Sequence, residues 1–136
     1  MQATDYKKEK IELASGYIYW PYGQPILEQV VSKNYKVETK DAQEIDQTMA
    51  RMAAARGQAV YHLADIRQIK GGSAEARKQF NEGPPACVRA TAVLISGAVS
   101  RLLGNFLIQL NHADIPIRLF VDREEAIKWL LEQVEE

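Results

Sequence analysis

The sequence predicts an α/β domain with the element order ββαβαβαβα, in which a mixed, mainly parallel sheet is flanked by helices. Three observations carry this prediction. The run Ala90–Ile95 has little polarity and many β-branched side chains, which is typical of a strand buried on both faces. Pro116–Val121 has the composition of a second strand, which would close a βαβ unit. Between them, after the turn Ser96–Ala98, apolar residues recur at the spacing of one helix face: Val99, Leu102, Leu103, Phe106, Leu107 and Leu110.

The N-terminal part of the chain predicts a hairpin. Residues 1–8 carry no periodicity, and we expect a frayed lead-in there. Apolar residues alternate with polar or small ones over Lys10–Trp20, which predicts one strand with a bend or bulge at Gly16. The turn residues of Pro21–Pro25 separate it from a second strand at Ile26–Val31, so the two strands should pair antiparallel.

The middle of the chain alternates between helix and strand. Thr39–Arg56 places its apolar residues on one helical face, with either Thr39 or Asp41 as the N-cap and Gly57 as the stop. Gln58–Ala64 is short and largely apolar, which predicts a strand.

The remaining segments continue the alternation. Ile66–Gly72 is predicted to be a loop, and Ser73 opens a short helix through about Asn81. Asp122 caps a terminal helix with the apolar stripe Ile127, Leu130, Leu131 and Val134. Repeated alternation of strand and helix favours parallel strands with helices packed over them.

Length and composition exclude several classes of protein. The 136 residues are enough for one domain, spanning residues 1–136, that buries its own core. A formal charge of −1 offers no electrostatic footprint for nucleic acid. The longest apolar run, Ala90–Val99, is too short to span a bilayer, and the polar N-terminus lacks the apolar region of a signal peptide. With Cys87 as the single cysteine, we expect a reduced protein in the cytoplasm.

The sequence predicts a protein that is not an enzyme and that holds no cofactor or metal. Its two histidines, His62 and His112, are not accompanied by a Gly-x-Ser-x-Gly motif or another recognisable nucleophile signature. No Cys-x-x-Cys, His-x-x-x-His or EF-hand spacing occurs. The acidic side chains Asp41, Glu44 and Asp46 are expected on the solvated face of a surface helix.

The leading candidate site is the segment Gly71, Gly72 and Ser73, between a strand and a helix. Backbone N–H groups at a helix N-terminus suit an anion, and open α/β sheets place sites at the carboxyl ends of strands. The segment lacks the Walker and Gly-x-Gly-x-x-Gly spacings, so a tight turn into a capped helix is the simpler interpretation.

An aromatic group is a further candidate surface. Tyr17, Tyr19, Trp20 and Tyr22 could contact a ligand or a partner, or could divide between the core and a half-exposed face. Trp129 could likewise belong to the core or to the rim of an interface.

Five segments resemble one known family: Leu63–Gly71, Ser73–Arg77, Val99–Phe106, Ile115–Phe120 and Glu124–Leu130. They are similar to the bacterial STAS/SEC14-like (SpoIIAA-like) proteins, small relatives of the anti-sigma-factor antagonists. The similarity covers about residues 10–132, and its most specific part is the Val-Ser-Arg-x-x-Gly-Asn-Phe segment that starts at Val99. The resemblance implies a sheet flanked by helices in the predicted order.

The resemblance also implies a phosphorylation site. In the anti-sigma-factor antagonists a serine at the start of a helix is phosphorylated to switch partner binding, and Ser73 is the corresponding position. The family's Asp-Ser-Ser-Gly is replaced here by Gly-Ser-Ala-Glu, so the acid and the second hydroxyl are missing. Secondary candidates are Ser96, Ser100 and Arg101 in the next strand–helix turn, where Ser100 is the expected helix cap.

Two functional hypotheses follow. The first is a non-enzymatic regulatory or protein-interaction module, in which an exposed Ser73 contacts a protein partner such as a regulator or a kinase. The second is binding of a small apolar or lipid-like ligand, as the SEC14 part of the family name implies, in a pocket lined by residues such as Met49, Met52, Phe106 and Phe120. A homodimer could form through the aromatic hairpin or a sheet edge; neither nucleic acid nor a membrane span is expected.

Overall fold

The computed structural model describes residues 10–22, 25–81, 85–109 and 115–135. The predicted lead-in at residues 1–8, two residues of the predicted turn near residue 23, and His112 lie outside them. The described strands are β1 (Ile11–Leu13), β2 (Gly16–Tyr19), β3 (Ile26–Val31), β4 (Lys36–Val37), β5 (Val60–Asp65), β6 (Gly71–Gly72), β7 (Val88–Leu94) and β8 (Ile117–Phe120). The described helices are α1 (Thr39–Arg56), α2 (Ala74–Asn81), α3 (Gly97–Gln109) and α4 (Arg123–Val134).

The predicted fold class is confirmed. The main sheet has six strands in the order β1-β2-β3-β5-β7-β8. Strands β3, β5, β7 and β8 run parallel, whereas β1 and β2 add an antiparallel edge. The predicted antiparallel pairing of the second N-terminal strand is therefore present, between β2 and β3.

The prediction of a single strand over Lys10–Trp20 is wrong. The chain reverses after Leu13, and β1 pairs back onto β2 with Leu13 opposite Gly16. Gly16 has a φ of 150°, and a Cβ there would lie 1.8 Å from the carbonyl oxygen of Val30. Only glycine therefore allows β2 to start this close to β3, directly after the turn that reverses the chain.

The predicted loop Ile66–Gly72 is partly a strand. Its last two residues form β6, which pairs in parallel with β4 in a separate small sheet. The backbone N–H of Lys70 donates to the carbonyl of Tyr35 at 2.9 Å, and that of Ser73 donates to Val37 at 2.9 Å. These bonds fix the entry to α2.

The helices cover both faces of the main sheet. Core side chains of α1 pack with Ile18, Leu27 and Val60, and α2 and α3 pack against Val93 and Ile95 further along the same face. Helix α4 covers the opposite face, where Leu130 packs against alternating strand residues such as Leu63 and Ala92. Each strand therefore alternates between two apolar layers.

Helix α1 is capped at neither of the two predicted positions. Its N-cap is Glu38, whose backbone N–H donates to the Asp41 carboxylate at 2.8 Å. The helix ends at Arg56 with Gly57 as its C-cap, as predicted. Asp122 caps α4, as predicted, by accepting a hydrogen bond from the backbone N–H of Glu124 at 2.8 Å.

Helix α3 buries only part of the predicted face. Three of the five described residues of the predicted stripe are half-buried, whereas Leu102 and Val99 are 71% and 47% exposed. Ser100 and Gly104 are the buried positions, and a Cβ on Gly104 would lie 2.7 Å from a methyl group of Leu119. Because small residues let the helix approach the sheet closely, they displace the larger side chains toward solvent. Leu110 of the predicted stripe lies outside the described residues.

Candidate functional site

An apolar cavity of about 120 Å³ lies between the main sheet and helices α1, α2 and α3. Strand residues form its floor, and the three helices supply its walls. Much of its lining is aliphatic or aromatic, including Val31, Met49, Val93, Leu103, Phe106 and Ile117. Close-packed interiors hold few voids larger than a water molecule, so a cavity of this size is a departure from ordinary core packing.

A row of polar side chains crosses the floor of the cavity. His62 on β5 is opposite Thr91 on β7, and both are buried. Gln29 on β3 is also buried, and its Oε1 lies 3.1 Å from His62 Nε2. Since an amide oxygen only accepts hydrogen bonds, this contact places the proton of a neutral imidazole on Nε2.

Burial keeps the imidazole neutral. It lowers the pKa of His62 to about 4, because the charged form would lose its hydration. At neutral pH the row therefore presents dipoles and no net charge. Such groups can orient a polar atom of a ligand, whereas the surrounding side chains can bury only apolar surface.

Two residues with ionisable side chains line the cavity from the helices. Asp46 on α1 is half-buried, and burial raises its pKa to about 7. This overturns the prediction that Asp46 lies on a solvated face. Arg77 on α2 lies over the ring of Phe106, with 5.4 Å between the guanidinium carbon and the ring centroid. Its Nε is buried and has no hydrogen-bond partner in the described part of the chain.

The leading predicted segment contributes to this region in an unexpected way. Gly71 and Gly72 form β6, and Gly72 lines the cavity. Ser73 caps α2 by accepting a hydrogen bond from the backbone N–H of Ala76 at 3.0 Å. However, Ser73 is only 8% exposed, so the expectation of an exposed serine is wrong. Its hydroxyl oxygen is used to hold the helix.

The secondary candidates do not line the cavity. The Ser96 hydroxyl donates to the carbonyl of Arg67 at 2.8 Å. Ser100 is not the helix cap, because α3 already begins at Gly97; its hydroxyl accepts a hydrogen bond from the backbone N–H of Ser96 at 2.6 Å. Arg101 is exposed. The two serines therefore stabilise the start of α3, and Arg101 lies on its surface.

The residues of the predicted aromatic surface do not form one surface, because some lie in the core and others belong to a hydrogen-bond network. Trp20 is buried in the core. Tyr19 donates from its hydroxyl to buried Glu28 at 2.8 Å, and Tyr22 accepts at 2.8 Å from Arg123. Burial, together with the bond to Glu28, raises the pKa of Tyr19. These tyrosines therefore belong to a network on the α4 side of the sheet.

The carboxylate of Glu28 is the centre of that network. Arg123 donates to it through two nitrogens, at 3.1 and 2.5 Å. The same bonds raise the pKa of the Arg123 guanidinium. Trp129 also lies on this side, 5.6 Å from Phe120 between ring centroids, and it is half-buried.

The sequence prediction missed the polar residues of the cavity. Gln29, His62 and Thr91 each interrupt the apolar face of a strand, and this is the signal that could have found them. Asp46 and Arg77 carry no such signal, because the rotation of α1 and α2 decides whether they point at the sheet. Of the predicted pocket residues, Met49 and Phe106 line the cavity.

In the described part of the chain, no helix is both long enough and apolar enough to cross a membrane. Within the same ranges, no three His, Cys, Asp or Glu side chains group closely enough to hold a metal ion.

The architecture defines the class of fold, and comparison with known proteins agrees. A crystal structure described as an uncharacterized protein from the DUF3478 family with a SpoIIAA-like fold, from Shewanella loihica PV-4, is similar to this chain. Its TM-score is 0.52 at 14% sequence identity, with 89% of this chain and 90% of that chain covered. The chain thus has a SpoIIAA-like fold, as the sequence predicted.

The family assignment comes from the sequence. Residues 19–134 match the family described as "Domain of unknown function (DUF7793)", so the chain belongs to that family. None of the curated proteins with which the chain was compared matches it.

Proposed function

We propose that this domain binds a small, mainly apolar molecule in the cavity between the sheet and helices α1 to α3. The observation that carries the proposal is the cavity itself. An engineered protein cavity of about 150 Å³ that is lined by aliphatic and aromatic side chains stays dry and binds benzene. A cavity of about 120 Å³ with a similar lining has room for a comparable ligand.

The volume limits the size of the ligand. One aromatic ring or a short alkyl chain fits, whereas the two acyl chains of a membrane lipid do not. The proposal therefore keeps the apolar ligand that the resemblance implied and narrows it to a small molecule. The polar row of Gln29, His62 and Thr91 would orient such a molecule from the floor.

We propose that the domain binds this molecule without transforming it. Thr91 supplies the one hydroxyl group among the described lining residues, which include no serine and no cysteine. A general base works best with a pKa near the working pH, and burial holds the pKa of His62 at about 4. Burial raises the pKa of Asp46 to about 7, but the described lining offers neither a serine nor a cysteine for this carboxylate to activate. These features support a binding role.

The cytoplasmic location stays a prediction.

The test uses toluene as a neutral apolar probe. We expect saturable shifts of the Met49, Val93 and Leu103 methyl resonances in NMR spectra of the purified protein. Ala64 also lines the cavity, and Ala64→Leu should fill it and weaken toluene binding at least tenfold. The same change at exposed Ala54 on α1 is the matched control. Wild-type spectra without shifts at any toluene concentration would rule the function out.

A specific observation also favours the interaction role as a second candidate. Leu102 and Val99 are largely exposed on α3, the helix whose Leu103 and Phe106 line the cavity. Exposed aliphatic side chains on one helix suit a protein contact, which a ligand beneath the helix could influence. The identity of the partner, for which the sequence suggests a regulator or a kinase, stays a prediction.

The homodimer is the version of this role that can be tested directly. If α3 mediates it, sedimentation at rising concentration should show a dimer that Leu102→Asp dissociates. Arg101→Asp, an adjacent exposed position, is the control. A monomer at all concentrations would eliminate the homodimer.

A further inference from the structure

We propose that the ligand of the cavity is a small organic anion whose carboxylate is held by Arg77 while its apolar body fills the space beneath. This inference rests on the proposed function and deepens it by naming the chemical class of the ligand. It draws on the hydrogen bonding of Arg77, on the residue beneath its guanidinium, and on the charge of the lining.

Arg77 carries an unpaired hydrogen-bond donor. Its Nε is buried and lacks a hydrogen-bond partner within the described residues, and the side chain to which it belongs lines the cavity. Buried polar groups in folded proteins are nearly always paired, and an exception requires a reason such as a missing ligand. A ligand atom that accepts a hydrogen bond would supply the partner.

Two other arginines of this chain show what such a group ordinarily binds. Arg67 donates to Asp65 through Nε and Nη2, at 3.0 and 2.8 Å. Arg123 donates to Glu28 through the same two nitrogens. In both cases a carboxylate meets the Nε edge of the guanidinium, which is the bidentate geometry that this group favours. At the same edge of Arg77, Nε has no hydrogen-bond partner among the described residues.

The guanidinium also lies beside an aromatic residue of the cavity. Its central carbon is 5.4 Å from the centroid of the Phe106 ring. A guanidinium presents its N–H donors in one plane, which suits a planar acceptor such as a carboxylate. A carboxylate held by these donors would place the apolar body of the ligand against the lining to which Phe106 belongs.

The charge of the lining also bears on the class of the ligand. The titratable or charged groups on the described walls are Asp46 from α1, His62 from β5 and Arg77 from α2. Burial favours the neutral forms of both Asp46 and His62. Arg77 is the cationic residue among them. The lining is therefore complementary to an anion, and a protonated Asp46 could itself donate to a carboxylate.

The experiment compares probes that differ only in charge. Calorimetric titration at pH 7 would use phenylacetate against phenylacetamide, and hexanoate against hexanamide. We expect the wild-type protein to bind the carboxylate of at least one pair tenfold or more tightly than its amide. The pair that shows the preference tells an aromatic body from an alkyl one.

Variants then connect the preference to one side chain. Arg77→Gln should abolish the preference while toluene still binds, and Arg77→Lys should retain part of it. Arg101→Gln, at an exposed position outside the cavity, is the matched control and should change nothing.

The outcomes separate this inference from the function on which it rests. Binding of toluene with no carboxylate preference in either pair overturns the anion proposal and leaves the apolar site intact. A preference that survives in Arg77→Gln overturns the role of Arg77. Failure of toluene and of all four probes to bind overturns both proposals together.

Discussion

The two faces of the six-stranded sheet treat their buried polar groups differently. On the face covered by α4, the carboxylate of Glu28 receives hydrogen bonds from both Arg123 and Tyr19. The Asp65 carboxylate on the same side is held by Arg67. On the face covered by α1 to α3, Asp46 is half-buried with a raised pKa, and a nitrogen of Arg77 has no partner among the described residues.

This difference separates structural polar groups from functional ones. Both faces belong to the same strands and are built by the same alternation, so the fold alone does not require one face to be incomplete. A saturated network stabilises one arrangement of its elements. Polar groups left incomplete around a cavity reduce stability unless a ligand completes them, which makes that face the candidate for function.

The largest expected effect tests the hydrogen-bond network on the face covered by α4. Arg123→Met removes the partner of a carboxylate that is almost fully buried, and an unpaired buried charge is strongly destabilising. We expect a loss of about 3 kcal/mol in the free energy of unfolding, measured by urea denaturation. Arg89→Met, at an exposed position on β7, is the control. A loss below about 1 kcal/mol would mean that the network is not structural.

The next largest effect tests the face covered by α1 to α3. Here the substitution should increase the free energy of unfolding. Asp46 has a folded-state pKa of about 7, above the ordinary value of 3.8, because burial disfavours its charged form. The contribution of Asp46 to the free energy of unfolding is therefore most favourable at low pH. It falls as the pH rises from about 4 through about 7, because the folded protein then holds a buried charge. Asp46→Asn should raise the free energy of unfolding by about 2 kcal/mol at pH 8.

The pH dependence is the diagnostic part of that prediction. At pH 5 the gain should be less than half as large, because Asp46 is then protonated in the folded protein. Urea denaturation at both pH values measures the difference, and Glu44→Gln on the exposed side of α1 provides the comparison. An equal gain at both pH values would show that Asp46 keeps an ordinary pKa.

The fold was largely predictable because its strongest signals are local. The apolar run that became β7 and the helix-period residues of α1 depend on neighbouring positions, and both elements are present. The wrong predictions concern places where segments distant in sequence approach each other closely. Gly16 and Gly104 lie closer to neighbouring backbone or side-chain atoms than a Cβ would allow. Such contacts between segments distant in sequence accompany the break in the first predicted strand and the exposure of Leu102 and Val99 on α3.

The candidate site was much less predictable. His62 and Thr91 become neighbours only through the register of β5 on β7, which the sequence does not reveal. Whether Asp46 and Arg77 face the sheet depends on how α1 and α2 pack. Conversely, Ser73 was predicted as a cap from local spacing, and that prediction is confirmed. Its exposure is a tertiary property, and there the prediction was wrong.

The smallest expected effect concerns this same Ser73, at the start of the helix that carries Arg77. Ser73→Ala removes the acceptor for the Ala76 N–H, and loss of an N-cap costs about 1 kcal/mol. Ser73→Thr keeps a hydroxyl and should recover most of the stability, whereas Ser32→Ala at an exposed position should cost nothing measurable.

The predicted phosphorylation of Ser73 can be judged from the same variants. A kinase can reach this hydroxyl only when the first turn of α2 opens, because the serine is almost fully buried and its oxygen is engaged with the helix. If phosphorylation occurs, destabilising the remainder of that turn should accelerate it. Mass spectrometry after incubation with cell extract, on the wild-type protein and on Glu75→Gly, measures the rate at Ser73. Equal rates would separate modification from helix opening, and no modification in either protein would remove the phosphorylation switch and leave Ser73 with a capping role alone.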